Sequence, residues 1–318
     1  MIDVETAEVL AMVNGPSYNP NNRKNTGAHR IRNRVVSDAF EPGSVVKPLA
    51  VLSALEFGVI KKDDIIDTNP GWMRLGGSRV QDSHNYGELD LRSIIQKSSN
   101  IGTTKLALSV PKEFLLDTYY NMGLMSDTGM SLLGESAGLF HERSRWSEFE
   151  LATLSFGYGL SVTTAQLGRM YTTLANGGAN RELTIIKHNN HKQAEQVFSA
   201  QNTQAVLEMM ESVTQKGGSA TKAAVAGYRV AGKTGTSRKA IAGGYGDNYV
   251  NIFAGVAPVS DPQIVVVVLI NEPGGDLYYA GDTAAPVFSK IMGGALQLLN
   301  IAPDGLEATN VANLTFNQ

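Results

Sequence analysis

Residues 40–58 read Phe40-Glu41-Pro42-Gly43-Ser44-Val45-Val46-Lys47-Pro48-Leu49-Ala50-Val51-Leu52-Ser53-Ala54-Leu55-Glu56-Phe57-Gly58. Val45, Val46, Leu49, Ala50, Leu52, Ala54 and Leu55 are apolar on several helical faces, so Ser44 to Phe57 is predicted to be a buried helix. Pro42-Gly43 breaks the chain before it, Pro48 is tolerable in a first turn, and Gly58 suits a helix end. Ser44 and Lys47 then lie one turn apart on a shared face. Apolar neighbours would partly desolvate the lysine and lower its pKa toward that of a usable base. Unpaired N–H groups at the helix start offer a place for a developing oxyanion.

Working outward, residues 1–13 alternate as two short strands around Glu5-Thr6-Ala7, a predicted hairpin, and residues 15–34, rich in Asn, Pro and Arg, read as loop. The chain opens abruptly on Met1-Ile2-Asp3-Val4, which already reads as a strand, and a fragment lacking its upstream part is expected. Between about Leu89 and Ala175 helical patterns dominate, as at Leu91–Ile95 and Glu148–Leu154, and about 60–175 are expected to form a mainly helical subdomain. The last third changes character: Tyr228–Ala231, Tyr249–Val256 and Ile264–Ile270 are strand-like, and Ala284–Leu299 closes with a helical pattern. The expected fold class is mixed α/β (α+β). One domain spans residues 1–318, its N-terminal and C-terminal strands sharing one antiparallel sheet flanked by helices, plus an all-helical subdomain.

The 318 residues are 42% hydrophobic, enough for a substantial core, and the net charge of −3 gives no basic face for nucleic acid. Arg30, Arg32 and Arg34 form one short cluster, the pattern of a solvated surface. With no cysteine, disulfides and thiol catalysis are excluded. Of His29, His84, His141, His188 and His191, only His188 and His191 are close. With Asn189 and Asn190 between them they read as a polar loop lacking a third ligand, so neither metal nor cofactor is expected. The longest apolar run, Ile264–Ile270, is too short to span a bilayer.

Three short motifs occur in order: Ser44-Val45-Val46-Lys47, Ser98-Ser99-Asn100 at a turn or helix start, and Lys233-Thr234-Gly235-Thr236 on a strand edge. An S-x-x-K match arises by chance on the order of once in a chain of this length. Ser109-Val110-Pro111-Lys112 and Ser219-Ala220-Thr221-Lys222 match it too, and S-x-N recurs at Ser17-Tyr18-Asn19 and Ser83-His84-Asn85. Context separates them. Pro111 makes the second S-x-x-K a helix-to-helix turn, and Ser219 follows Gly217-Gly218 in a polar stretch with no break into a buried helix.

The ordered set resembles the signature of penicillin-binding proteins and serine β-lactamases. Phe40-Glu41-Pro42-Gly43-Ser44, Gln96-Lys97-Ser98-Ser99-Asn100, Phe156-Gly157-Tyr158-Gly159, Lys233-Thr234-Gly235-Thr236 and Ala254-Gly255-Val256-Ala257-Pro258 resemble one branch. That branch is the transpeptidase domain of class B, division-specific penicillin-binding proteins (the penicillin-binding protein 3 type), and the likeness runs from about Asp3 to Ala302. The resemblance implies a septal peptidoglycan D,D-transpeptidase that crosslinks stem peptides ending in D-Ala-D-Ala and is inhibited covalently by β-lactams. It implies that Ser44 attacks the carbonyl between the terminal D-alanines, Lys47 takes its proton, and Ser98 relays a proton to the leaving D-alanine. Asn100 would hold Lys47 and the substrate amide, and Lys233 would place positive charge near the substrate carboxylate. Thr234 and Thr236 would bind that carboxylate, and the N–H groups of Ser44 and Thr236 would form the oxyanion hole. Ser99 and Gly235 join the substrate-binding set, and Tyr245, Tyr278 and Tyr279 match aromatic positions beside the groove or are ordinary surface or core tyrosines. Arg238 contacts a donor peptide or acidic drug side chain, or is solvated surface. Glu41 caps or orients the nucleophile turn. Val45 and Val46 stand where relatives often carry a threonine, a change of packing more than of chemistry. The family also carries an N-terminal membrane helix and a pedestal domain; without them, anchoring at the periplasmic face of the inner membrane and contacts with divisome proteins and a glycosyltransferase would be lost, while acylation would persist.

Rival readings are a serine β-lactamase, a D,D-carboxypeptidase and a non-catalytic β-lactam sensor. A class A β-lactamase needs E-x-x-L-N to activate water. Glu148-Phe149-Glu150-Leu151-Ala152 lacks the asparagine, and Phe156-Gly157-Tyr158-Gly159 replaces the class D Tyr-Gly-Asn, so slow deacylation is predicted.

Overall fold

The computed structural model describes residues 1–305 apart from 23, 25, 26, 142, 144, 188–192, 242 and 276. Four strands, β1 (Ile2–Asp3), β2 (Ala231–Ile241), β3 (Gly244–Ala257) and β4 (Ile264–Asn271), form an antiparallel sheet in the order β1-β4-β3-β2. The principal helices are α1 (Lys47–Phe57), α2 (Leu91–Lys97), α3 (Asn100–Ser109), α4 (Lys112–Asn121), α5 (Glu148–Ser155), α6 (Thr164–Ala175), α7 (Ala200–Glu211) and α8 (Ala284–Leu298).

The register shows why Ile264–Ile270 is apolar without alternation. Ile2 pairs with Val265 and lies against Gly168 of α6, whereas Val266 pairs with Gly255, whose Cα abuts Phe288 of α8. Successive strand residues face opposite sides, so α6 and α8 cover the two faces of the sheet and β4 is apolar on both. Phe253 and Phe288 meet edge to face, with centroids 4.6 Å apart.

Several expectations are corrected in detail. The predicted strand Tyr228–Ala231 begins only at Ala231 and continues to Ile241, so Lys233-Thr234-Gly235-Thr236 lies within it. At the N-terminus the return leg of the hairpin makes only isolated bridges, Ile2 with Val9 and Glu8 with Thr184. The loop expected over 15–34 holds a helical turn, Ala28–Ile31. The helical region also contains three short antiparallel pairs: Ile65–Asp67 with Glu88–Asp90, Trp72–Leu75 with Ser78–Gln81, and Leu139–Phe140 with Leu160–Ser161. The second pair turns at Gly76-Gly77 and ends beside Asp82, which it delivers to the site below.

Candidate active site

The predicted helix at Ser44 begins as a different structure. Gly43–Val46 form a 3-10 turn, and α1 starts at Lys47. An α-helix would satisfy the Ser44 carbonyl with the N–H of residue 48, but that residue is Pro48 and has none. The carbonyl accepts from the Lys47 N–H instead, which tightens the turn. Three outside contacts fix it: Gly43 N–H donates to Gly157 O at 3.0 Å, Tyr171 Oη donates to Val45 O at 2.9 Å, and Ser237 Oγ donates to Glu41 O at 2.9 Å. Gly157, at φ +88°, comes so close that a Cβ there would lie 2.1 Å from Gly43 O. Glu41 reaches across with its side chain and accepts the Gly159 N–H at 3.0 Å. Among the described residues Ser44 Oγ has no hydrogen-bond partner, and the side chain is half-buried.

Lys47 is 1% exposed; its Nζ donates to Asn100 Oδ1 at 2.7 Å, to Ser98 Oγ at 3.1 Å and to the Ser98 carbonyl. Ser98 closes α2 in the left-handed region at φ +57°, and Ser99 caps α3 through Gly102 N–H. This kink points Ser98 and Asn100 at the lysine. Sequence reasoning missed what holds it in place, which is Asp82. Its carboxylate accepts Ser99 Oγ at 2.5 Å, Ile101 N–H at 3.0 Å and the Asn100 N–H. Nothing in the local sequence marks Asp82, seventeen residues upstream of its partner Ser99, as part of the site.

From the sheet, Lys233 Nζ donates to the same Ser98 Oγ at 3.0 Å and to Thr234 O at 3.3 Å, with its side chain fully buried. Ser98 Oγ therefore sits between two buried lysine amines. Burial brings Lys233 down to about 7, chiefly by desolvation. Lys47 is held well below the ordinary lysine value, first by desolvation and then by the Lys233 charge, with Asp82 opposing. Two such groups on one hydroxyl disfavour double protonation, so the cluster readily holds a neutral amine. A neutral Lys47 can give its two N–H bonds to Ser98 O and Asn100 Oδ1 and keep its lone pair for a proton.

β2 is the edge strand of its sheet, and Gly235 lets it dock on the serine turn: a Cβ there would lie 2.7 Å from Pro42 O and 3.0 Å from Val45 Cγ1. Thr236 pairs with Asn251 across the hairpin, and its Oγ1 accepts the Ala280 N–H at 3.0 Å. Thr234, Thr236 and Tyr279 line a cleft of about 310 Å³.

The remaining candidates are less concentrated. Tyr278 Oη donates to Tyr279 Oη at 3.0 Å, their rings 4.2 Å apart, and Tyr278 also leans on Tyr249 at 5.4 Å. Tyr245 packs edge-on against Tyr158 at 5.7 Å, and Arg238 lies over Tyr249 at 5.9 Å. Neither Tyr245 nor Arg238 lines the cleft at Thr234. Of the set-aside serines, Ser109 Oγ donates to Leu106 O at the end of α3, a helix-terminal bond. Ser219 is different: its Oγ lies 3.0 Å from Thr234 Oγ1, at the candidate site. His188 and His191 lie outside the described residues, and no group of three metal-ligating side chains occurs among the described ones. No helix among the described residues is long and apolar enough to cross a membrane.

With this geometry in place, the chain can be set beside known proteins. The family described as penicillin binding protein transpeptidase domain matches residues 1–293. The chain is 46% identical over 319 residues to the peptidoglycan D,D-transpeptidase FtsI of Escherichia coli K12, covering 100% of this chain and 54% of that protein. It is 41% identical over 304 residues to the probable peptidoglycan D,D-transpeptidase PenA of Neisseria gonorrhoeae, covering 95% of this chain and 52% of that one. The apo structure of the TP domain from Burkholderia pseudomallei penicillin-binding protein 3 matches with a TM-score of 0.87 at 38% identity, covering 95% of this chain and 88% of that one. The chain spans about half the length of the curated relatives it matches.

Proposed function

Because the chain belongs to the penicillin-binding protein transpeptidase family, we propose that it is a peptidoglycan D,D-transpeptidase whose nucleophile is Ser44. The observation that carries the reading is the meeting of two buried lysines, Lys47 and Lys233, at Ser98 Oγ, one turn from a serine hydroxyl that has no hydrogen-bond partner among the described residues. In acylation, neutral Lys47 takes the Ser44 proton as Ser44 Oγ bonds to the penultimate D-alanine carbonyl carbon. The tetrahedral oxyanion is met by the N–H groups of Ser44 and Thr236. The C–N bond then breaks, and the proton on Lys47 passes through Ser98 Oγ to the departing D-alanine amine. Asn100 orients Lys47 and the donor amide, while Lys233, Thr234 and Thr236 face the terminal carboxylate. Attack by an acceptor amine on the ester carbon restores Ser44 and leaves the crosslink. With a β-lactam the leaving amine stays tethered in the adduct, and slow deacylation is expected because Glu148-Phe149-Glu150-Leu151-Ala152 lacks the asparagine of the class A pattern and Phe156-Gly157-Tyr158-Gly159 replaces the class D Tyr-Gly-Asn.

The resemblance to division-specific relatives supports work in septal wall synthesis at the periplasmic face of the inner membrane. There the full-length protein would act with a glycosyltransferase and divisome partners. The test is intact mass after incubation with a penicillin. The parent is expected to carry one adduct stable for hours, and Ser44→Ala none. Rapid nitrocefin turnover would overturn the slow-deacylation part, and an adduct on Ser44→Ala would overturn the nucleophile.

A further inference from the structure

The Ser219-Ala220-Thr221-Lys222 segment, a chance-level S-x-x-K match in the sequence, folds onto the wall of the cleft that Thr234, Thr236 and Tyr279 line. We propose that Ser219 is a substrate-binding residue, its hydroxyl joining those of Thr234 and Thr236 to hold the terminal carboxylate of the stem peptide or β-lactam. The inference rests on the transpeptidase reading above.

Three observations carry it. The first is hydrogen accounting. Thr236 Oγ1 already accepts the Ala280 N–H at 3.0 Å, so its own hydrogen is available to a ligand. Ser219 Oγ and Thr234 Oγ1 are 3.0 Å apart, where one donates to the other and one hydrogen remains over. A carboxylate offers about four acceptor positions, enough to draw all three hydroxyl hydrogens.

The second is that Ser219 is held in place although exposed. A Cβ on Gly281 would lie 2.3 Å from Ser219 O, and one on Gly218 would lie 2.2 Å from Val213 O, so the backbone is clamped on both sides. Ala220 N–H donates to Val213 O at 3.0 Å. Lys97, adjacent to Ser98, ties the preceding turn by donating to Gly217 O at 3.3 Å. A hydroxyl on such a support loses little freedom when it binds.

The third is charge. Asp282, the one anion lining this cleft among the described residues, is paired with Lys222 at 2.7 Å, and Lys233 lies behind Thr234. The cleft therefore accepts an anion without a facing unpaired carboxylate.

The experiment measures second-order acylation rates for the parent, Ser219→Ala and Ser219→Thr, with benzylpenicillin and with its neutral methyl ester. Ser219→Ala is expected to lose about tenfold with benzylpenicillin, the scale of a hydrogen bond to a charged group, and less than about twofold with the ester. Ser219→Thr, which keeps the hydroxyl, is expected to stay within about threefold of the parent on both. Equal losses with both ligands would mark a structural disturbance and overturn the proposal, as would an unchanged benzylpenicillin rate. Failure of the underlying transpeptidase reading would look different: the parent itself, with Ser219 intact, would form no Ser44 adduct.

Discussion

Lys47 is chemically useful because burial and the neighbouring Lys233 charge make its own charge expensive. Both lysines are buried, both reach Ser98 Oγ, and after desolvation the Lys233 charge depresses the Lys47 value further. Replacing Lys233 by Gln removes that repulsion, so Lys47 holds its proton to higher pH. Acylation by a penicillin should fall at every pH, and the acid limb of its pH–rate profile should move upward. A shift of one unit would show as about tenfold extra loss on that limb. A profile that keeps its shape while dropping uniformly would contradict the coupling. At this scale the sequence announced Ser44, Lys47, Ser98, Asn100 and Lys233 through their motifs. It was silent on Asp82, and it offered Ser219 only as a chance-level motif match that its polar context set aside; their partners Ser99 and Thr234 lie seventeen and fifteen residues away.

Elements deliver these side chains by close approach of backbones. The 3-10 turn at Ser44 follows from Pro48 lacking an N–H, a local cause legible in the sequence once the helix is drawn. The docking of β2 on that turn is not local. It depends on Gly235, where a Cβ would stand 2.7 Å from the Pro42 carbonyl and 3.0 Å from Val45. Gly235→Ala should force the strand and the turn apart, with a loss of about 1–3 kcal/mol in stability from overpacking. Acylation should fall by more than about tenfold, because the reacting groups sit on the two displaced elements. Thermal unfolding and acylation rate, measured together, check this; wild-type values for both would refute the steric argument. The strand itself was underestimated from sequence because Gly232-Lys233-Thr234-Gly235 has poor intrinsic strand character. Pairing from Ala231↔Val256 to Ile241↔Gly244 makes it a strand.

The whole molecule bears the cost of keeping lysines dry, and that cost depends on pH. Lys233 is lowered to about 7 from the ordinary 10.5, so between those values the unfolded chain binds more protons than the folded one. The destabilisation is complete below pH 7 and is relieved as pH rises, so the melting temperature should increase from pH 7 to pH 9. Above pH 10 the sign reverses: buried Tyr119 and Tyr171 are pushed above the ordinary tyrosine value of 10.0 and ionise only on unfolding. Melting curves of the parent and of Lys233→Met test this, the variant losing much of the gain between pH 7 and pH 9. A parent that melts steadily lower over that window would rule it out.

The order of the three motifs, the buried helix with its proline, the strand-forming run of residues 264–270 and the closing helix are all properties of the chain read alone, because each rests on periodicity, backbone chemistry or residue type within a few positions. Tertiary structure decided which serine hydroxyl stands between the lysines, that Asp82 anchors the turn carrying it, and that the set-aside Ser219 belongs to the cleft. It also covered both faces of β4. The reason is the same in each case. Desolvation, charge repulsion and close backbone contact act through distance in space, and residues brought together across fifteen, seventeen or 135 positions carry no mark of it in their local sequence.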